Sequence, residues 1–394
     1  MESSMTLLTA NIQFLDMQLA LIHIPLSLYR NFLQSVLQLL LPGATGGDVQ
    51  IDSGAVQPPK SSPYEHAFVN ISVTPVECSV VCSRTLANEF FVPVVQSLDA
   101  ESRNSVHITT EDFVVMQVDG EGLDAGQRVL ELTSPLALAG IPIFFITTYF
   151  SDYILVPSRN QSHVIKALEE RGFQFEIDTS SYVNSYNHGR KGSTPSLDIP
   201  LPNTPPPATI SELQTRTFAT LKRCNIVPSV DSHLRLVQCA SHNRNTSNGL
   251  GESRNRSSMP PTSSEDALHL GLVKCLITQP HPRFLSLTLT DNEPASLLID
   301  HVLLENFAQD TLLGSKDEFL TPIALDLRNL PMESTGIVCG VAGRLVGGTT
   351  KKLMDPVEMS YLSTARAGTV MVAEQELQRA LGALRGAEES YADA

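Results

Sequence analysis

No basic run interleaved with aromatic residues occurs in this 394-residue chain, and positive charge is scarce, with 27 Lys and Arg against 42 Asp and Glu. The net charge of −15 and a pI near 5.1 argue against nucleic-acid binding, which needs a cationic face to meet phosphates. Cysteine is sparse too. Of the six, only Cys78 and Cys82 stand close together, and no second close pair completes a four-ligand zinc site. Buried thiols in a reducing compartment are expected, with no metal. The first eleven residues lack a basic n-region, so no signal peptide is expected and the expected location is cytoplasmic. The apolar stretch 19–41 is broken by His23, Pro25, Arg30 and Asn31, which suits a strand and an amphipathic helix better than a membrane span.

Catalytic signatures are missing as well. The glycine-rich "GATGGD" at 43–48 has no Lys-Ser/Thr to make a phosphate loop. No Gly-x-Ser-x-Gly, His-Glu-x-x-His or paired-carboxylate arrangement occurs. His163 and His301 read as surface or capping residues. A non-enzymatic chain without cofactors is the expectation.

What is present is a repeat. Residues 178–264 are dominated by Ser, Thr, Asn and Pro and read as a mostly disordered linker, with an island at 210–242 that reads as ordered. The flanking halves share an order of strands and helices. "QLALIHI", a helix at 26–41, "AFVNISVTP" and "CSVVCS" correspond to "LRLVQCAS", "EDALHLGLVKCLI", "RFLSLTLTD" and "ASLLID". "DFVVMQVDG", a helix at 127–139, a hairpin and "SHVIKALEERG" correspond to "TPIALDLRN", a helix at 336–346, a second hairpin and "EQELQRALGALRG". The hairpins 146–156 and 362–372 align without a gap, Thr148 on Thr364 and Val156 on Val372. The order β-α-β-β-α-β predicts an α+β fold of tandem ferredoxin-like units, four in two halves, with half-buried antiparallel strands covered by helices on one face.

The best binding candidate is "MESTGIVCGVAGRL". Thr335 is placed to cap a helix, Gly336 permits close backbone approach, and unpaired N–H groups at the helix start suit a carboxylate. Gly336, Gly340, Ala342 and Gly343 let another element come near. The equivalent site in the first half, "GLDAGQRV" with Asp124 and Gly126, is weaker.

The segments "ITTYFSDYILVP" and "STGIVCGVAGRL … SYLSTARAGTVMV" resemble the paired ACT domains of the CASTOR family, cytosolic arginine sensors of the TOR pathway distantly similar to the regulatory part of aspartate kinase. That resemblance implies ACT-like domains at 14–98 and 265–320, ACT domains at 109–177 and 321–386, and an amino acid held between the second and fourth without catalysis. It places the ligand against the backbone at Pro142 and Ile143, against Ser334, Thr335, Gly336 and Ile337 at the helix start, and against the turn from Thr364 to Gly368. Arginine sensors carry acids where Ser334 and Gly368 stand here; Glu333, one residue away, is the candidate substitute. Pro142 also removes a backbone donor. The resemblance further implies that Tyr149, Phe150 and Asp152 meet a GATOR-like protein complex. A homodimer is conceivable, and the alternative function is a regulatory ACT subunit acting on a biosynthetic enzyme such as aspartate kinase in trans.

Overall fold

The computed structural model describes residues 10–41, 68–120, 124–175, 207–242, 264–347 and 356–385. The strands are β1 (Ala10–Ile24), β2 (Val69–Val73), β3 (Cys78–Ser83), β4 (His107–Ile108), β5 (Phe113–Gly120), β6 (Phe144–Thr147), β7 (Asp152–Pro157), β8 (Gln174–Phe175), β9 (Leu236–Ser241), β10 (Leu285–Leu289), β11 (Ser296–Asp300), β12 (Leu312–Leu313), β13 (Leu320–Asp326), β14 (Met359–Ser363) and β15 (Ala367–Ala373). The α-helices are α1 (Tyr29–Leu40), α2 (Arg84–Leu86), α3 (Val92–Ser97), α4 (Ala100–Ser105), α5 (Ala125–Leu138), α6 (Gln161–Glu169), α7 (Ile210–Arg223), α8 (Ser264–Leu276), α9 (Ile337–Gly347) and α10 (Leu377–Arg385). None of the described helices is long and apolar enough to cross a membrane.

Local sequence explains the elements that frame the molecule. In α1, Tyr29, Phe32, Val36, Leu39 and Leu40 recur at helical spacing and bury one face, while Arg30, Asn31 and Gln34 lie off it. Helix α6 ends where Gly172 takes φ +90°, a conformation that costs a side chain with Cβ about 1–2 kcal/mol. Thr209 caps α7 by accepting from the Glu212 N–H.

The described strands belong to one 15-stranded sheet, thirteen of them in the order β11-β10-β2-β3-β1-β5-β7-β6-β14-β15-β13-β9-β12, with β4 and β8 each pairing with β1 off this path. Strand β9 also pairs with β11 along five residues, so the path closes into a ring. The four tandem ferredoxin-like units expected from sequence are therefore not clearly set apart, because their strands run on into one continuous sheet. Locally, β2-β3-β1-β4 and β10-β11-β9-β12 follow the β-α-β-β-α-β order. The unit formed by β5, α5, β6, β7, α6 and β8 departs from it: the first half of β1 runs antiparallel beside β5, and β8 lies parallel to β1 on its far side.

The two halves join at two antiparallel seams. At one, β6 pairs with β14 through Ile146 and Leu362. At the other, β2 pairs with β10, centred on Ile71 and Leu287. The spacing that aligns the two hairpins carries Ile146 onto Leu362 and also Ile71 onto Leu287. Each seam thus pairs a residue with its own counterpart, as a two-fold relation between the halves requires.

The apolar cores follow those seams rather than the halves of the chain. One core joins β5, β7, α5 and α6 with β13, β14, β15, α9 and α10; Met116, Leu132, Ile323 and Val341 are among its members. A second joins β2, β3 and α1 with β9, β10, β11 and α8. A third fills the opposite face of the sheet with Leu21, Val115, Tyr153, Leu155, Leu236 and Met371. Apolar packing on both faces explains why β2, β7 and β11 are buried at every residue, against the half-buried pattern expected. Within 178–264, residues 207–242 supply α7 and β9, β9 closes the ring and Ser264 begins α8; positions 178–206 and 243–263 lie outside the described residues.

Candidate functional site

The sheet seam at β6 and β14 has a single residue pair in register, and side chains complete it. The Phe145 N–H donates to Ser363 Oγ at 2.9 Å, and the Tyr361 N–H donates to Thr147 Oγ1 at 3.1 Å. A cavity of about 50 Å³ opens beside this seam. Its walls are the entry to β6 at Ile143, the strand β14, the turn at Thr364, and the segment leading into α9 through Ser334 and Ile337. A smaller one of about 20 Å³ adjoins it, lined among others by Ile143, Ser334, Gly336 and Cys339.

Of the residues singled out in the sequence, Ile143, Ser334, Ile337 and Thr364 line the larger cavity, and Gly336 lines the smaller. Pro142, Thr335, Glu333 and Gly368 line neither. Glu333 is exposed, and its charge acts instead on His107 and Glu111. Thr335 does not hold the cap position. The Gly340 N–H bonds the Gly336 carbonyl, so Gly336 opens the helix, at φ +79°. A Cβ there would also come within 2.5 Å of Leu213 Cδ1. What approaches the small residues of α9 is α7: Thr217 Oγ1 donates to the Gly336 carbonyl at 3.2 Å.

Gly368 is closed in a different way. A Cβ at this position would stand 2.3 Å from the Tyr361 hydroxyl. Tyr361 is 1% exposed, and burial pushes its phenol pKa well up, so it remains a neutral hydroxyl. The place where the sequence comparison looks for an acid is thus filled by a phenol. The larger cavity has no charged side chain in its lining; its polar groups are the hydroxyls of Ser334, Tyr361, Ser363 and Thr364 and the backbone.

The two hairpin turns use the same chemistry. The Thr148 N–H and hydroxyl both donate to the Ser151 carbonyl, and the Thr364 N–H and hydroxyl both reach the Ala367 carbonyl. Each turn is then clamped from the far half of the chain. Glu77, between β2 and β3, accepts from Thr364 Oγ1 at 2.6 Å and from the Arg366 N–H at 2.5 Å, while its second oxygen lies 2.5 Å from His23 Nδ1. Glu293, between β10 and β11, accepts from Ser151 Oγ, from Gln117 Nε2 at 3.0 Å and from the Tyr153 hydroxyl at 2.9 Å. The spacing that relates the hairpins also carries Glu77 onto Glu293. Neither glutamate was singled out in the sequence, because a lone acid between two strands looks like any solvated turn; only the hairpin alignment, extended upstream, pairs them.

The turn at Thr148–Ser151 displays Tyr149 and Phe150, which are 38% and 46% exposed with ring centroids 4.9 Å apart. Asp152, expected to face a partner beside them, is 1% exposed instead. It begins β7 and takes the Arg128 Nε–H at 2.7 Å. Burial lifts its carboxyl above the ordinary range despite that guanidinium. The side chain serves the contact between α5 and the hairpin.

Residues 108–170, which span β5, α5, β6, β7 and α6, match the family model of an ACT domain. Among solved structures, the chain is similar to an aspartate kinase from Synechocystis at 10% identity, over 96% of this chain and 55% of that one, with a TM-score of 0.31. An Agobacterium tumefaciens protein matches at 18% identity over 42% of this chain and 91% of its own, with a TM-score of 0.24. A Vibrio cholerae protein described as a possible transport protein matches at 13% identity over 41% of this chain and 89% of its own, with a TM-score of 0.23. This chain thus spans about half the length of the aspartate kinase.

Proposed function

We propose that this chain is a non-catalytic regulatory protein that binds a small neutral amino acid beside the β6–β14 seam and reports its occupancy to a protein partner. The observation that carries this reading is the cavity shared by Ile143, Ser334, Ile337 and Thr364, where an ACT-domain segment meets its counterpart from the other half. The ring then reads as four ACT-like units, with the second and fourth meeting at the site. The N–H groups at the start of α9 are suited to the ligand carboxylate, and the seam backbone to its amine. An uncharged lining disfavours arginine, whose buried guanidinium would lack a carboxylate partner. At about 50 Å³ the cavity is far below the roughly 300–1,000 Å³ of sites for larger ligands. A small side chain fits best, and entry requires the segment before α9 to lift. Tyr149 and Phe150 form the surface for the partner, for which the resemblance to arginine sensors points to a GATOR-like complex in the TOR pathway.

Thermal denaturation against the twenty amino acids tests the site. The cognate ligand at 100 times its dissociation constant should add about 2.7 kcal/mol of stability. Small neutral amino acids are expected to stabilise, arginine is not, and Ser334→Trp should abolish the shift while leaving the unliganded melting temperature close to that of the parent. Failure of all twenty at millimolar concentration would remove the reading. Affinity purification with Phe150→Ala as control separates the partners: a GATOR-like complex supports the sensor reading, and a biosynthetic kinase the alternative of a regulatory subunit acting in trans.

A further inference from the structure

The cavity beside the β6–β14 seam is lined by three hydroxyls of β14 and its turn, and their bonding is unequal. Thr364 gives its one proton to Glu77 Oε1 at 2.6 Å, a carboxylate and a closer acceptor than the Ala367 carbonyl at 3.3 Å. Its oxygen is left as an acceptor. Ser363 Oγ accepts from the Phe145 N–H at 2.9 Å. Tyr361 is different. Among the described residues its hydroxyl has no hydrogen-bond partner at all.

Tyr361 and Ser363 lie two residues apart on one face of β14, and Tyr361 packs there into the core it shares with α9. Only 1% of Tyr361 is exposed. The hydroxyl oxygen shares in that remnant, because it is not among the fully enclosed polar atoms that lack a partner. Burial keeps the phenol neutral, so its proton remains to be given. The nearby walls at Leu327, Leu330, Ile337 and Val338 are apolar. A buried hydroxyl without a partner destabilises the fold that holds it, so folded proteins keep few of them. A lone polar group in an apolar wall is also what selects and orients a small ligand.

We propose that the ligand of this cavity is an amino acid whose short side chain carries a hydroxyl, read by Tyr361. The inference rests on the amino-acid reading of the same cavity and narrows it. With the carboxylate at the N–H groups of α9 and the amine at the seam backbone, the side chain is the group left for Tyr361. Its oxygen accepts from the Tyr361 hydroxyl, and its proton goes to Thr364 Oγ1, held as an acceptor by Glu77. An alkyl side chain of equal size forgoes both bonds and leaves the phenol buried and unmet.

The test is calorimetric titration of the full chain with two matched pairs, L-serine against L-2-aminobutyrate and L-threonine against L-valine. Each pair exchanges a hydroxyl for a methyl at nearly constant volume. The hydroxyl member of at least one pair should bind about 10-fold or more tighter, the effect of one hydrogen bond whose buried partner is otherwise unsatisfied. Tyr361→Phe should bring that pair to within about 2-fold by weakening the hydroxyl member. The unliganded melting temperature of this variant should hold or rise, because the lost hydroxyl has no partner among the described residues. Equal affinity within both pairs would overturn the inference, as would a preference that survives Tyr361→Phe or a melting temperature that falls by several degrees in that variant. Binding of glycine or alanine with none of these four probes would overturn it and leave the amino-acid reading standing. Failure of all twenty amino acids would remove both.

Discussion

Glu77→Ala is expected to destabilise the chain by about 3–5 kcal/mol, the cost of removing one member of a buried charged cluster. The side chain is 0% exposed, and its two oxygens meet three groups from two distant elements: His23 on β1, and the Thr364 hydroxyl and Arg366 N–H of the turn between β14 and β15. Alanine leaves His23 and the Arg366 N–H without this acceptor, while the Thr364 hydroxyl keeps the Ala367 carbonyl, and each unsatisfied donor costs about 1–3 kcal/mol before any relaxation. Glu77→Gln keeps the shape and one acceptor oxygen, so its cost should be near the lower end of that single-donor range. Urea denaturation reads both. The two-fold counterpart provides an internal control. Glu293 is only partly buried, and Asp119 also accepts from Ser151 Oγ, so Glu293→Ala leaves that hydroxyl with a partner and should cost clearly less. Equal losses for the two alanine variants would show that the clamp on the Thr364 turn has no special weight.

That clamp also shows what one sequence can and cannot disclose. The hairpins were legible because their turn chemistry is local: a threonine caps a four-residue turn between apolar strands, and the same pattern occurs twice. Gly172 as the stop of α6 was legible for the same reason. The bond from Thr364 to Glu77 joins residues 287 positions apart, and no periodicity encodes it. Ring closure was hidden likewise, since alternation places a strand's faces but does not say which strand lies beside it. Strand β2, "VNISV", carries polar residues that read as solvent-facing. Asn70 and Ser72 are in fact buried and bonded to Ser286 and Thr288 across the second seam. Asp152 was set beside Tyr149 and Phe150 by the family resemblance alone, and no local pattern shows that Arg128 of α5 reaches it from outside the hairpin. At the helix start, Thr335 looked like the better cap than glycine. The close approach of α7, with Leu213 against Gly336 just before α9, reserves that position for a residue without Cβ.

The closed position at 368 leads to the second large effect. Gly368→Asp should cost about 3–5 kcal/mol, because two penalties meet in one place. Its Cβ would come within 2.3 Å of the Tyr361 hydroxyl, forcing a fully buried aromatic aside at about 1–3 kcal/mol. Its carboxylate would then be buried without a cation, at several kcal/mol more unless it takes up a proton. Tyr361→Phe removes the atom in the way; the next ring atom, Cζ, stands at 3.2 Å, close enough to need only a small adjustment. A double-mutant cycle should therefore show coupling, with Gly368→Asp costing at least about 1 kcal/mol less in the Tyr361→Phe background. The same double variant places a carboxylate beside Leu327 and the ring at position 361, both of which line the larger cavity, where the parent carries no charge. If the uncharged lining is what excludes arginine, arginine should stabilise the double variant against heat and leave the parent unmoved. Additive costs would mean that Tyr361 does not occupy the acid's place. An arginine response no larger than the parent's would mean that selectivity at this site is set by size rather than by charge.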